Sequence, residues 1–190
     1  MFAKNAGLNF NMPLIKEKYN KEVAPALQKK LGYKSVLAVP RFMKVVINIG
    51  IGKIREAKER EDIKKTLMLI TGQIPAECPA KKDIATFKAR RGFVVGFKVT
   101  LRGKRMYDFL DRLVYTALPR VRDFRGLDLK LIDQGGSLNI GIREHIIFPE
   151  VIGEDIRKIF GLEVTIVTSA KTREEAIELF RQTGFPLKRE

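Results

Sequence analysis

Between Lys81 and Arg105 the chain carries nine basic side chains, Lys81, Lys82, Lys88, Arg90, Arg91, Lys98, Arg102, Lys104 and Arg105, against one acid, Asp83. A second excess falls in residues 1–53, where ten Lys and Arg meet only Glu17 and Glu22. The rest of the chain is close to neutral, so these two stretches account for the formal net charge of +15. Charge concentrated in this way neutralises phosphates. It suits RNA or DNA better than a small metabolite. In the block Lys81-Lys82 and Lys88-Ala89-Arg90-Arg91, five cations with one counter-charge repel one another at modest ionic strength. A phosphate partner accounts for them better than solubility does.

Two alternating segments add hydrogen-bonding chemistry. Lys44 to Ile51 places Val45, Ile47, Ile49 and Ile51 on one face of a strand and Lys44, Val46, Asn48 and Gly50 on the other. Phe93 to Leu101 places Phe93, Val95, Phe97, Val99 and Leu101 together, opposite Val94, Gly96, Lys98 and Thr100, with Arg102 next in line. If the two strands are neighbours, Lys44, Asn48, Lys98, Thr100 and Arg102 share one surface. Lys and Arg there would neutralise phosphates, while Asn and Thr would bond to 2′-hydroxyls or base edges. The plainer alternative is an ordinary solvated face. Arg91-Gly92-Phe93 resembles the opening of the signature strand of RNA-recognition domains. Its aromatics share a face with Val95, Val99 and Leu101, however, so that face is expected to be buried. Arg120, Arg122 and Arg125, interleaved with Asp123 and Phe124, suit either RNA or a protein surface.

Signals for catalysis are faint. Gly50-Ile51-Gly52 lacks the third glycine of a dinucleotide fingerprint, and no Lys-Ser/Thr pair completes a phosphate-binding loop. Asp108 and Asp111 read as the solvated side of a helix. His145 has no nearby serine or cysteine in sequence, and Cys78 beside Pro79 reads as incidental. One Cys and one His cannot make a metal site together, and a lone Cys cannot form an internal disulfide, which fits a reducing, cytosolic compartment. No apolar run approaches the roughly 18–20 residues that span a bilayer. We therefore expect no catalytic residues, metal, cofactor, membrane or small-molecule substrate.

The elements that would hold these residues follow from periodicity. Tyr19, Val23, Leu27 and Leu31 recur every fourth residue and predict a helix over 14–31, kinked or shortened by Pro25 and stopped by Gly32. Ile63, Leu67 and Ile70 predict a second helix, closed near Gly72. Residues 73–92 lose any steady period from Ala76 onward and predict a long exposed loop. Met106, Phe109, Leu110, Leu113, Val114 and Ala117 predict a helix ended by Pro119. Residues 127–132, 137–143 and 162–168 read as strands, and 148–161 has room for a short helix. Thr172 and Glu175 form a capping box that opens a last helix, with Gly184 as its stop. These elements predict an α+β fold, a mainly antiparallel open-faced sheet with helices packed on one side, RNA-recognition-like. Residues 1–11 read as a flexible extension and 12–190 as a single domain.

Six ordered motifs resemble one family. They are Val39-Pro40-Arg41, Val45–Gly52, Ile70-Thr71-Gly72-Gln73, Gly96–Gly103, Pro119–Gly126 and Arg143–Glu150. The chain resembles the universal 5S-rRNA-binding protein of the large ribosomal subunit, large-subunit protein five, from about Met12 to its end. The resemblance implies a non-enzymatic protein of the cytoplasmic ribosome that binds 5S rRNA and attaches it to the large-subunit 23S-type rRNA in the central protuberance. Carried onto this chain, it implies 5S rRNA contacts by Asn48, Gln73, Thr100 and Arg102. It also implies contact of loop 76–91 with peptidyl-site tRNA. A bridge to small-subunit protein thirteen is implied near 122–126 and 133–136. The chain departs from the family at Gln134-Gly135-Gly136-Ser137-Leu138, where a Gly-Arg-Gly-Asn-Tyr turn is common, and at Cys78-Pro79, where a more basic sequence is usual. The rival readings are an RNA-modifying enzyme, which would need a pocket and an acid at His145, and a general duplex-binding protein.

Overall fold

Strict alternation makes β1 (Phe42–Gly50) two-faced: Val45, Ile47 and Ile49 are buried, whereas Asn48 and Gly50 are exposed. A computed structural model describes residues 14–52, 54, 56–83, 90–151, 153 and 159–188. Residues 1–11 and Lys88 therefore lie outside the described residues. Ahead of β1, α1 (Leu14–Lys18) and α2 (Ala24–Leu31) are separated by a wider π turn, Tyr19–Val23. That turn sits just before Pro25, whose missing N–H leaves a carbonyl one turn back without its donor, and this is the break the proline predicts. Gly32 ends α2 with φ +70°.

Helix α3 (Ala57–Thr71) buries Ile63, Leu67 and Ile70 and closes at Gly72, which takes the left-handed conformation glycine tolerates best. The segment after it is not one long loop. Ala76–Pro79 forms strand β2, antiparallel to β3 (Val94–Leu101), with Ala76 opposite Lys98 and Cys78 opposite Gly96. Ala-Glu-Cys-Pro has no period of its own, and the strand exists because β3 offers its edge. The Ala80 N–H bonds to Phe93 O at 2.8 Å and that of Gly92 to Ala80 O at 3.0 Å, so the pairing continues past Pro79 and the expected loop is shorter by those residues.

Helix α4 (Gly103–Arg112) buries Met106, Phe109 and Leu110. It runs on through a π turn, Leu113–Ala117, into a last tight turn, Leu118–Arg120, one residue past the predicted stop at Pro119. Proline at the head of that turn loses no bond there. Strands β4 (Leu138–Ile142) and β5 (Leu162–Thr168) appear as predicted. Residues 127–132 do not form a strand. The Asp128 carboxylate accepts the Lys130 N–H at 2.9 Å and holds a 3-10 turn, leaving only isolated bridges at Leu127 and Ile132. Within 148–161 a short 3-10 turn covers Pro149–Val151. Helix α5 (Arg173–Thr183) is capped by Thr172 and ends at Gly184. The expected capping box is modified: Glu175 Oε2 accepts from the Lys171 N–H at 2.8 Å.

The five strands form one antiparallel sheet in the order β2-β3-β1-β5-β4. One hydrophobic cluster joins its inner face to the helices. Phe42 lies at its centre with ring centroids 5.8 Å from Phe180, 6.0 Å from Phe185 and 6.3 Å from Tyr107. The fold is therefore α+β with helices on one side and the opposite sheet face open.

Candidate nucleic-acid interface

The pairing of β1 with β3 sets Asn48 opposite Lys98 and Val46 opposite Thr100. Lys44, Asn48, Lys98, Thr100 and Arg102 consequently project from the same, helix-free face. Asn48, Lys98 and Arg102 are exposed, and Lys44 and Thr100 are half-buried. None of Lys44, Lys98 and Arg102 has an ion-pair partner among the described residues. Cationic heads left unpaired on one face are available to phosphates. Gln73, two residues past the end of α3, reaches β3, its Nε2 donating to Thr100 O at 3.4 Å. Gly96 on β3 leaves no room for a side chain beside β1: a Cβ there would sit 2.9 Å from Ile49 O.

Sequence reasoning missed part of this face. β5 runs along the other side of β1, placing Glu163 opposite Asn48 and Thr165 opposite Val46. β4 then sets Asn139 beside Thr165, whose hydroxyl donates to Asn139 Oδ1 at 2.8 Å. The alternation of Leu162, Val164 and Ile166 with Glu163 and Thr165 carried the signal, but the neighbour relation did not. Glu163 is an acid in the middle of an otherwise cationic face. Beside it a depression of about 420 Å³ opens between Asn48, Gly50, Gly141, Arg143, Gly161 and Glu163.

The other sites are placed separately. Lys81, Lys82, Arg90 and Arg91 are exposed on the hairpin between β2 and β3, whose base is tied by Asp83 Oδ1 accepting the Arg91 N–H at 2.7 Å. Phe93 is not buried with its alternation partners. It is 37 % exposed, and the Arg60 guanidinium lies 4.1 Å from its ring centroid. Position 93 lies just before β3 begins, beyond the reach of the sheet's inner layer. Arg120, Arg122 and Arg125 are exposed on the loop after α4, where Asp123 adopts φ 55°.

His145 is a packing residue. It is 2 % exposed, stacks on Phe160 with centroids 3.9 Å apart, and accepts the Phe160 N–H at Nδ1 over 3.3 Å. No acid bonds to it among the described residues, which removes the constellation the enzyme reading required. Burial lowers its pKa below the usual 6.5. The unfolded chain therefore binds the proton first as pH falls, so this contribution to stability is complete above about pH 6.5. It is lost as pH drops from there through the lower folded value, at no more than about 1.4 kcal/mol per pH unit. Because the chain has one histidine, its ring resonance titrated by NMR is expected to show a midpoint under 6.5. A midpoint at or above 6.5 contradicts this reading. No cluster of His, Cys, Asp or Glu among the described residues could hold a metal ion, and no described helix is long and apolar enough to cross a membrane.

Comparison with known proteins agrees with the geometry. The family model described as "Ribosomal protein L5" matches residues 35–90, and the model of the C-terminal part of the same family matches residues 94–187. The large ribosomal subunit protein uL5 of Halothermothrix orenii is 49% identical over 176 residues, covering 92% of this chain and 98% of that protein. The protein of the same name from Carboxydothermus hydrogenoformans is 49% identical over 179 residues, 94% of this chain and 100% of its own length. That of Alkaliphilus metalliredigens is 48% identical over 92% of this chain and 98% of its own.

Proposed function

The chain belongs to the ribosomal protein L5 (uL5) family, and on that premise we propose that its open sheet face binds 5S rRNA and attaches it to the large-subunit rRNA of the central protuberance. Membership makes it a structural, non-enzymatic constituent of the large subunit of the cytoplasmic ribosome. One observation carries the finer reading: Lys44, Asn48, Lys98, Thr100 and Arg102 share a face that no helix covers. Affinity would come mainly from phosphate neutralisation. Selectivity would come from RNA shape and the polar contacts of Asn48, Gln73 and Thr100.

The exposed tip carrying Lys81, Lys82, Arg90 and Arg91 supports contact with the backbone of peptidyl-site tRNA, an extended polyanion reached from the sheet's edge. Lys88, in the same stretch of sequence, lies outside the described residues. Arg120, Arg122 and Arg125, exposed on a loop away from the strands, suit either ribosomal RNA or the bridge to small-subunit protein thirteen.

Arg102 gives the direct test. Arg102→Ala is expected to weaken 5S rRNA binding and to flatten the plot of log affinity against log salt by roughly 0.7–0.9, one phosphate contact. Filter binding across a salt series reads both quantities, and an unchanged slope removes Arg102 from the interface. Competition between 5S rRNA and random duplex DNA separates this function from general duplex binding.

A further inference from the structure

Resting on the RNA-binding reading, we propose that the depression beside Glu163 takes the Watson–Crick edge of one unpaired guanine, with the Glu163 carboxylate as the group that selects it. Three features of the sheet lead there. Gly50 and Gly141 stand on β1 and β4, and a Cβ added to either would meet nothing within 4 Å. Missing side chains on those strands, rather than tight packing, make the hollow of about 420 Å³. Gly161 closes its end, because a Cβ there would come within 3.0 Å of Ile142 O and 3.3 Å of Arg143 O. The site is therefore a shallow depression, open on the helix-free side and large enough for a nucleobase.

Its polar lining is the second feature. Glu163 is exposed and has no hydrogen bond or ion pair among the described residues. It faces Asn48 across the β1–β5 pair and Gly141 across the β4–β5 pair. Lys98 lies one strand beyond Asn48, its backbone about 10 Å from that of Glu163 at the usual strand spacing, and no ion pair joins the two. Asn48 and Arg143 supply donors at the rim of the same hollow.

The third feature is electrostatic. A free carboxylate on a face built for phosphates repels the backbone locally, so this point is not a phosphate contact. What a carboxylate accepts from RNA is an N–H. Guanine alone presents two adjacent donors, N1–H and the 2-amino group, to match two carboxylate oxygens. Its neighbouring O6 accepts from Asn48 or Arg143. Adenine and cytosine offer only one exocyclic amino group beside an acceptor nitrogen, and uracil one imino N–H. Sequence-specific RNA recognition reads unstacked bases along such edges.

The sign of one substitution separates this role from a bland one. Glu163→Ala and Glu163→Gln are measured against a 5S rRNA transcript by filter binding across a salt series, beside Arg102→Ala. Each Glu163 variant is expected to weaken binding about ten-fold, with the salt slope unchanged. Kethoxal, which attacks N1 and the 2-amino group of unpaired guanine, is expected to spare one guanine in the wild-type complex and to modify it in the Glu163→Ala complex. If Glu163 is merely a solvated acid, removing its charge raises affinity for RNA, and that result, or unchanged affinity, overturns the proposal. So does a footprint in which Glu163→Ala releases no guanine. Should Arg102→Ala weaken binding while the Glu163 variants do not, only this inference fails. Should none of the three matter, the RNA-binding face falls with it. Glu163 is exposed on its strand and Gln keeps its size, so unchanged melting of the glutamine variant shows that folding is not at issue.

Discussion

Replacing Lys98 and Arg102 together by glutamate is expected to lower affinity for 5S rRNA by more than about 30-fold at roughly 0.15 M salt, because each phosphate contact contributes a salt slope of about 0.7 to 0.9. Loss of two contacts therefore costs roughly 15- to 30-fold at that salt, and reversal adds repulsion against the same phosphates. Lys98 on β3 and Arg102 just past its end project from the same face, and both are exposed. Neither has an ion pair to lose among the described residues, so melting should shift by less than about 0.5 kcal/mol equivalent. Titration across a salt series would show the slope reduced by about two contacts or more. Affinity close to that of wild type would mean that the RNA lies elsewhere, and the hairpin tip would become the leading candidate.

Gly136→Ala is expected to destabilise the fold by about 3 kcal/mol, whereas Gly135→Ala should cost little. Gly136 has φ +78°, a conformation costing an L-residue about 1–2 kcal/mol. A Cβ there would also lie 2.9 Å from Ala170 Cβ, 3.2 Å from Ala176 Cβ and 3.2 Å from Thr168 Oγ1. Overpacking of this kind typically adds about 1–3 kcal/mol. Gly135 has no such constraint, its nearest neighbour being Asp133 Oδ1 at 3.5 Å. This is the turn at Gln134–Leu138, where the resemblance implies a Gly-Arg-Gly-Asn-Tyr sequence instead. The structure shows which part of it the fold requires: Thr168 donates its hydroxyl to Gly136 O at 2.8 Å, and the Ser137 N–H bonds to Asp133 Oδ1 at 2.7 Å. Urea denaturation of the two variants measures the difference. Equal midpoints would show that the turn shifts to accommodate a methyl group.

Much of this molecule is local in origin and therefore legible along the chain. Val45, Ile47 and Ile49 fall on one side of β1 because side chains alternate, whatever the strand pairs with. Gly32, Gly72 and Gly184 end helices because each adopts a left-handed conformation within the last turn. Net charge is additive, so the polyanion partner could be read before any fold was known. Local signals also mislead. Leu127–Ile132 has strand-like residues, yet Asp128 accepts the N–H two residues on and makes a 3-10 turn.

What tertiary structure alone decided is which residues meet. Asn48 lies between Lys98 and Glu163, both far along the chain from it, because β1 runs between β3 and β5. No periodicity encodes that order; it follows from burying one face of all five strands under the same helices. Strand β2 likewise owes its existence to the edge of β3, and the burial of His145 to Phe160. Amino-acid order set the charge, the strand faces and the helix ends, since each acts within a few bonds or by simple summation. Packing placed the Glu163 carboxylate between Gly141 and Asn48 on the open sheet face, with Gly50 two residues further along β1, because contact between distant strands is a property of the whole folded chain.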